Sequence, residues 1–116
     1  MFSKKNRLRK ERDIKRVFSK GKHFGSSLFS LLYLENGKNH TRVTVVVSKK
    51  YDKRAVYRNK LKRKFREAAY HLILSLKVSA DIIILPKSVS EKSSFQEVQG
   101  ELEGILKKTE KRIVKK

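Results

Sequence analysis

The sequence predicts a single α+β domain, an α/β sandwich in which helices pack on a four-stranded sheet, in the order α-β-β-β-α-β-α. Three observations carry this. A run of apolar, strand-forming residues, LFSLLYL at 28–34, is followed by a β-branched run, TRVTVVVS at 41–48. A long helical period occupies about 53–76. A continuous apolar run, DIIILP at 81–86, fits a strand buried on both faces and ended by Pro86. Strands and helices in this order close one two-layer core, and 116 residues suit one domain.

The elements follow in order. Residues 1–10 are rich in Lys and Arg and read as a flexible basic arm. In ERDIKRVFSKG, Ile14, Val17 and Phe18 recur at i, i+3, i+4 and Gly21 supplies a stop, predicting a short amphipathic helix. Residues 23–27 could add a short strand. The 28–34 and 41–48 runs flank Asn36-Gly37, a turn signal, and read as an antiparallel hairpin. In the long helix, Tyr57, Leu61, Phe65, Ala68, Ala69, Leu72 and Leu76 share an arc of about 120° and form its core face. The last helix starts near Ser93 or Ser94. Ser94 with Glu97 makes a capping box, and Phe95, Val98, Leu102, Ile105 and Leu106 give its apolar stripe. Residues 107–116 read as a basic, fraying tail.

Charge narrows the function. Lys and Arg total 31 against 11 Asp and Glu, a formal charge of +20. Such self-repulsion calls for an anionic partner, nucleic acid or a membrane surface. The chain has no cysteine, hence no disulfide or thiolate chemistry, and no apolar run reaches membrane-spanning length. The start carries basic residues without a secretory apolar region, so a cytoplasmic protein is expected.

The charge concentrates in AVYRNKLKRKFREAAY, residues 55–70, where six of the nine positions from Arg58 to Arg66 are Lys or Arg. Like charges at i,i+4 repel, and across 53–70 the only acidic residue is Glu67, so salt bridges within the helix cannot neutralise the set. The ordinary reading of a charge run is a solvated face. The lack of carboxylates, and Asn59 among the bases offering donor and acceptor together for a base edge or a 2′-hydroxyl, favour nucleic-acid binding. Asn59, Lys62, Arg63 and Arg66 line one flank; Lys60 and Lys64 lie on the other. Aromatics beside Lys49 and Lys50 would make a stacking platform for single strands. Phe18 is one candidate, with core packing as its ordinary alternative; Phe29, Tyr33 and Tyr51 are others. Alternation puts Phe29, Leu31 and Tyr33 on one sheet face and Ser30 and Leu32 on the other, without saying which is exposed.

No catalytic apparatus stands out. His23, His40 and His71 have no partner at metal-ligand spacing, the carboxylates are scattered, and Gly100 and Gly104 sit in a helical pattern that follows no strand.

The stretch RNKLKRKFRE, preceded by VVSKK, resembles the bacterial ribonuclease P protein component. Ser48-Lys49-Lys50 and Ala55 to Glu67 match the family's S/A-K-K link and A-x-x-R-N-R-x-K-R-x-x-R-E helix, and NRLRKERDIKRVFSKG is similar to its R-L-x-x-x-x-D-F-x-x-V-F-x-x-G. The resemblance runs from about Asn6 to Leu85. It implies a left-handed β-α-β crossover at the basic helix and a protein subunit that assists a catalytic RNA in removing the 5′ leader of precursor tRNA. The Mg²⁺ ions would be held by the RNA subunit and substrate, and no catalytic residue is expected in this chain. Carried over by position, Arg58, Asn59, Lys60, Lys62, Arg63 and Arg66 would face the RNA subunit, and Phe18, Lys49 and Lys50 would line the leader cleft. The expected partners are the catalytic RNA and precursor tRNA, without a membrane or an obligate protein partner. Two positions depart from the pattern. Lys60 stands where the family has Arg, so bidentate phosphate recognition is lost there; Ile14 replaces a common Phe, which leaves Phe18 as the clearer stacking residue. A ribosomal RNA-binding protein and an independent nuclease are the competing readings. Precursor-tRNA cleavage separates them: the first never cleaves, and the second needs no added RNA.

Overall fold

The computed structural model describes residues 3–48 and 55–114. A 3₁₀ turn, Lys4–Asn6, precedes α1 (Glu11–Lys20), β1 (Lys22–Gly25), β2 (Phe29–Glu35) and β3 (Arg42–Val45). Then come α2 (Ala55–Leu74), β4 (Ala80–Pro86), a second 3₁₀ turn (Ser88–Lys92) and α3 (Phe95–Val114). The strands form one mixed sheet in the order β1-β2-β4-β3. This is the expected α+β domain, with the short strand before residue 28 present as β1.

The hairpin expected between the 28–34 and 41–48 runs does not form. Gly37 takes the left-handed turn conformation, φ 66°, but β4 inserts between the two strands, antiparallel to β2 and parallel to β3. The reason is burial. Ile82, Ile83 and Ile84 are all fully buried, so β4 needs a strand on both edges and a layer on both faces, which only a central position supplies. The parallel β3–β4 pair is joined by α2, as a crossover requires.

Phe29, Leu31, Tyr33, Val43, Val45, Ile82 and Ile84 face α2 and α3 and form the main core with Leu61, Phe65, Ala68, Ala69 and Leu102. Phe29 and Phe65 meet edge to face, with centroids 5.9 Å apart. Phe29 and Tyr33 are therefore core residues, which corrects their reading as stacking candidates. On α2 the expected arc holds in its middle. Tyr57 instead is exposed on the first turns and Ile73 is buried near the end, while Leu72 and Leu76 are partly buried against the core.

The other sheet face meets α1. Leu8, Val17 and Ile83 are buried there, flanked by half-buried Ile14, Leu32, Leu34, Val46 and Leu85. Gly21 ends α1 with its N–H donating to the Val17 carbonyl at 2.8 Å. Its φ of −71° is open to any residue; the space is not. A Cβ there would lie 2.4 Å from the Val17 oxygen and 3.1 Å from the Tyr33 oxygen, both backbone. Gly21→Ala is expected to cost about 1–3 kcal/mol, the scale of overpacking a tight site, measurable by urea denaturation.

Both ends are more ordered than composition suggests. Asn6 and Leu8 are buried, Leu8 donates its N–H to the Val43 carbonyl at 3.0 Å, and Arg7 bridges Val43 in parallel. Residues 3–8 are thus docked on the β3 edge rather than a flexible arm. The expected tail from 107 is helical to Val114: Thr109 is fully buried, Ile113 packs on the core, and the Arg112 guanidinium lies 4.0 Å from the Phe24 ring centroid. The capping box forms, with Glu97 N–H donating to Ser94 Oγ at 3.1 Å and Ser94 N–H to Glu97 Oε1 at 3.2 Å.

Candidate nucleic-acid interface

Helix α2 leans its apolar side on the sheet and α3, which aims its cations outward. Arg58, Lys62 and Arg66 follow at i, i+4, i+8, and Asn59 and Arg63 lie beside them, all within roughly 140° at 100° per residue. Asn59, Arg63 and Arg66 are exposed; Arg58 and Lys62 are half-buried. Lys60 is also exposed but sits one turn before Lys64, on the far flank. Lys64 has a structural role: its ammonium donates to the Ser90 carbonyl at 3.0 Å and to the Ser93 carbonyl, closing the turn that leads into α3. The structure thus brings together five of the six residues assigned to the RNA face and sets Lys60 apart.

The second surface is the α1 side of the sheet. α1 crosses obliquely, from Asp13 beside Arg42 of β3 to Gly21 against the Tyr33 carbonyl of β2. Val17 is its buried anchor, whereas Phe18, next round the helix, is 48% exposed, so core packing is not what this ring does. Ser30, Thr44, Val46 and Leu85 on the same sheet face are half-buried and make a mixed polar and apolar floor. These floor residues were not singled out from the sequence; the alternation that put Ser30 opposite Phe29 was the available signal. Lys49, Lys50 and Tyr51 lie outside the described residues.

A buried ionic group holds the two layers in register. Arg42 on β3 donates from Nε to Asp81 Oδ1 at 2.7 Å and from Nη2 to Asp81 Oδ2 at 2.6 Å, a bidentate pair. Its Nη1 reaches Asp13 Oδ2 of α1 at 3.3 Å. Asn36 Nδ2 donates to Asp81 Oδ1 at 2.9 Å and to the His40 carbonyl at 3.1 Å. The hydrogen bonds to Asp81 hold the Arg42 pKa above the ordinary arginine value, against the opposing effect of burial, with Asp13 adding to the rise. A pKa raised by folding adds stability below the unfolded value and loses it only as pH climbs through the folded one, here in strong alkali. The sequence reading missed this group, whose central pair, Arg42 and Asp81, is 39 residues apart in the chain.

The histidines sit on separate elements: His23 on β1, His40 in the β2–β3 turn and His71 on α2, the last edge-on to Tyr70 at 4.9 Å. Among the described residues, no three His, Cys, Asp or Glu side chains gather as a metal-ligand set, and no helix is long and apolar enough to cross a membrane.

A basic helix on a mixed sheet, with an exposed aromatic over the opposite face, matches known proteins along nearly the whole chain. A family model described as Ribonuclease P matches residues 2–110. The chain belongs to the ribonuclease P protein family. The ribonuclease P protein component of Pseudanabaena sp. (strain PCC 6903) is 36% identical over 109 residues, 93% of this chain and 94% of that protein. Among solved structures, the RNase P protein of Thermotoga maritima superposes with a TM-score of 0.78 at 33% identity, covering 88% of this chain and 96% of its own. A Staphylococcus aureus RNase P protein mutant with defective mRNA degradation activity gives a TM-score of 0.79 at 31% identity, covering 91% and 89%. These ribonuclease P proteins share the α+β fold seen here.

Proposed function

We propose that the whole chain acts as one RNA-binding domain, the protein subunit of ribonuclease P, which binds the catalytic RNA through α2 and the 5′ leader of precursor tRNA through the α1 side of the sheet. The observation that carries this is the charge balance of α2: a fold-anchored helix presents Arg58, Asn59, Lys62, Arg63 and Arg66 together, with Glu67 as its one carboxylate between residues 55 and 74. Phosphate neutralises that density, and release of counterions drives binding. Lys60 adds charge from the other flank. Phe18, with Lys49 and Lys50 from the family match, recognises single-stranded leader by stacking and charge. The chemistry, hydrolysis of one phosphodiester with Mg²⁺ held by the RNA subunit and substrate, lies with the RNA. This chain raises substrate affinity, in the cytoplasm, without a membrane or an obligate protein partner.

Reconstitution is the test. Precursor tRNA should be cut to mature 5′ ends at low Mg²⁺ only when the protein and a bacterial ribonuclease P RNA are both present. Cleavage by the protein alone would point to an independent nuclease, and no stimulation of the RNA to a ribosomal or other RNA-binding role.

Phe18→Ala should weaken holoenzyme binding of leader-bearing precursor by about 1–3 kcal/mol, one lost base–aromatic stack. Mature tRNA affinity and assembly should hold, because the ring is half in solvent and the α1 anchor is Val17. Equal weakening of both tRNA forms in paired binding measurements would remove Phe18 from the leader site.

A further inference from the structure

The segment Ser3–Lys10 is pinned to the edge of β3. Asn6 Nδ2 donates to the Thr41 carbonyl at 2.9 Å and Ser3 Oγ to Asn6 Oδ1 at 2.9 Å, while Leu8 is buried at 2% exposure. With Leu8 turned in, the extended stretch after the Lys4–Asn6 turn points Arg7 and Arg9 out, and Lys5 on the turn is exposed as well. Arg7 and Arg9 line two grooves, one on either side of this segment. One, of about 410 Å³, lies between the segment, Val43–Val45 and α2, and includes Arg66. The other, of about 540 Å³, includes Lys4, Lys5, Lys10, Lys38 and Arg42.

No carboxylate lines either groove. The nearby Asp13 and Asp81 are both engaged by Arg42. Among the described residues, Lys4, Lys5, Arg9, Lys10 and Lys38 enter no ion pair. A solvated, mobile arm could spread such charge at little cost. Here backbone anchoring holds it in one place, where it is self-repulsive without an anion. Arg66 belongs both to the α2 face and to the first groove, so the basic surface runs unbroken from α2 over the pinned segment to the β2–β3 turn.

We propose that this segment and its two grooves form a second phosphate-binding track for the same RNA subunit that α2 contacts, with Arg7 and Arg9 as the bridge and Lys38 at the far end. The proposal rests on the assignment of α2 to that RNA, and its ligand is the sugar–phosphate backbone rather than base edges.

Two measurements on the full chain test it. The first is a salt titration of assembly with ribonuclease P RNA for wild type, Lys62→Ala/Arg63→Ala on α2 and Arg9→Ala/Lys38→Ala on the track. Each double variant should lower the log–log slope by about 1.4–1.8, for two phosphate contacts at 0.7–0.9 each. The second uses the absence of cysteine: an iron chelate tethered at Lys38→Cys should cut the bound RNA, whereas one at Glu103→Cys, exposed on α3, should not. A lowered slope for the α2 variant beside an unchanged slope and no cutting for the track variants overturns the track and leaves the α2 interface standing. If neither slope moves, the α2 assignment fails and the track fails with it.

Discussion

Asp81→Ala is expected to destabilise the folded protein by about 3–5 kcal/mol, the cost of breaking a buried ion pair from one side. The carboxylate is 7% exposed and Arg42 15%, so the substitution strands a guanidinium away from water with only Asp13 at 3.3 Å. It also removes an acceptor for Asn36, which ties the β2–β3 turn to β4. Asp13→Asn should cost far less, because the bidentate partner of Arg42 remains. The informative variant is Asp81→Ala/Arg42→Met. If the penalty comes from an unpaired buried charge, the double variant recovers most of the loss, since a flexible apolar side chain fills the gap without a charge to solvate. Urea denaturation of the three variants distinguishes the cases. A double variant as unstable as Asp81→Ala would mean that the carboxylate matters for β2–β3 turn geometry rather than for charge pairing.

The parts of this fold that could be read from sequence are those set by local chemistry. DIIILP fits a strand buried on both faces, and its isoleucines are fully buried on β4; Ser94 with Glu97 caps α3 as the spacing suggests. Leu61, Phe65, Ala68 and Ala69 are the core of α2. The errors arise where two local signals compete or a partner is distant in the chain. Asn36-Gly37 does turn the chain, but a turn signal carries no knowledge that β4 will claim the space between β2 and β3. In β2 both faces are apolar, so alternation separates Phe29 from Ser30 without saying which side α2 covers. Composition hid Asn6 and Leu8 among Lys and Arg, and with them the docking of residues 3–8. The candidate site divides the same way. The cation stripe of α2 follows from helical spacing alone, whereas the exposure of Phe18, the structural role of Lys64 and the placement of Arg7 and Arg9 on two grooves depend on packing.

Lys62→Ala/Arg63→Ala/Arg66→Ala is expected to weaken assembly with the catalytic RNA by about fifty- to two-hundred-fold at physiological salt, while leaving the fold in place. Three phosphate contacts at about 0.7–0.9 in log–log slope lower the salt dependence by about 2.1–2.7, and extrapolation from molar salt to 0.15 M gives that range. The fold should hold because Leu61, Phe65 and Ala69, the core residues of the same turns, are untouched and buried at 4%, 0% and 0%. Removing three like charges also relieves repulsion along the helix, so the free protein should be as stable as wild type or slightly more so. The decisive measurement is the single-turnover rate of leader removal with the variant at saturating concentration. A binding subunit predicts a rate close to wild type, because in that role the helix holds RNA without acting on the scissile phosphate and excess protein restores occupancy. A large fall in that saturated rate, with assembly shown complete by gel shift, would place the α2 cations at the reaction centre. It would make this chain a participant in the chemistry rather than a holder of RNA.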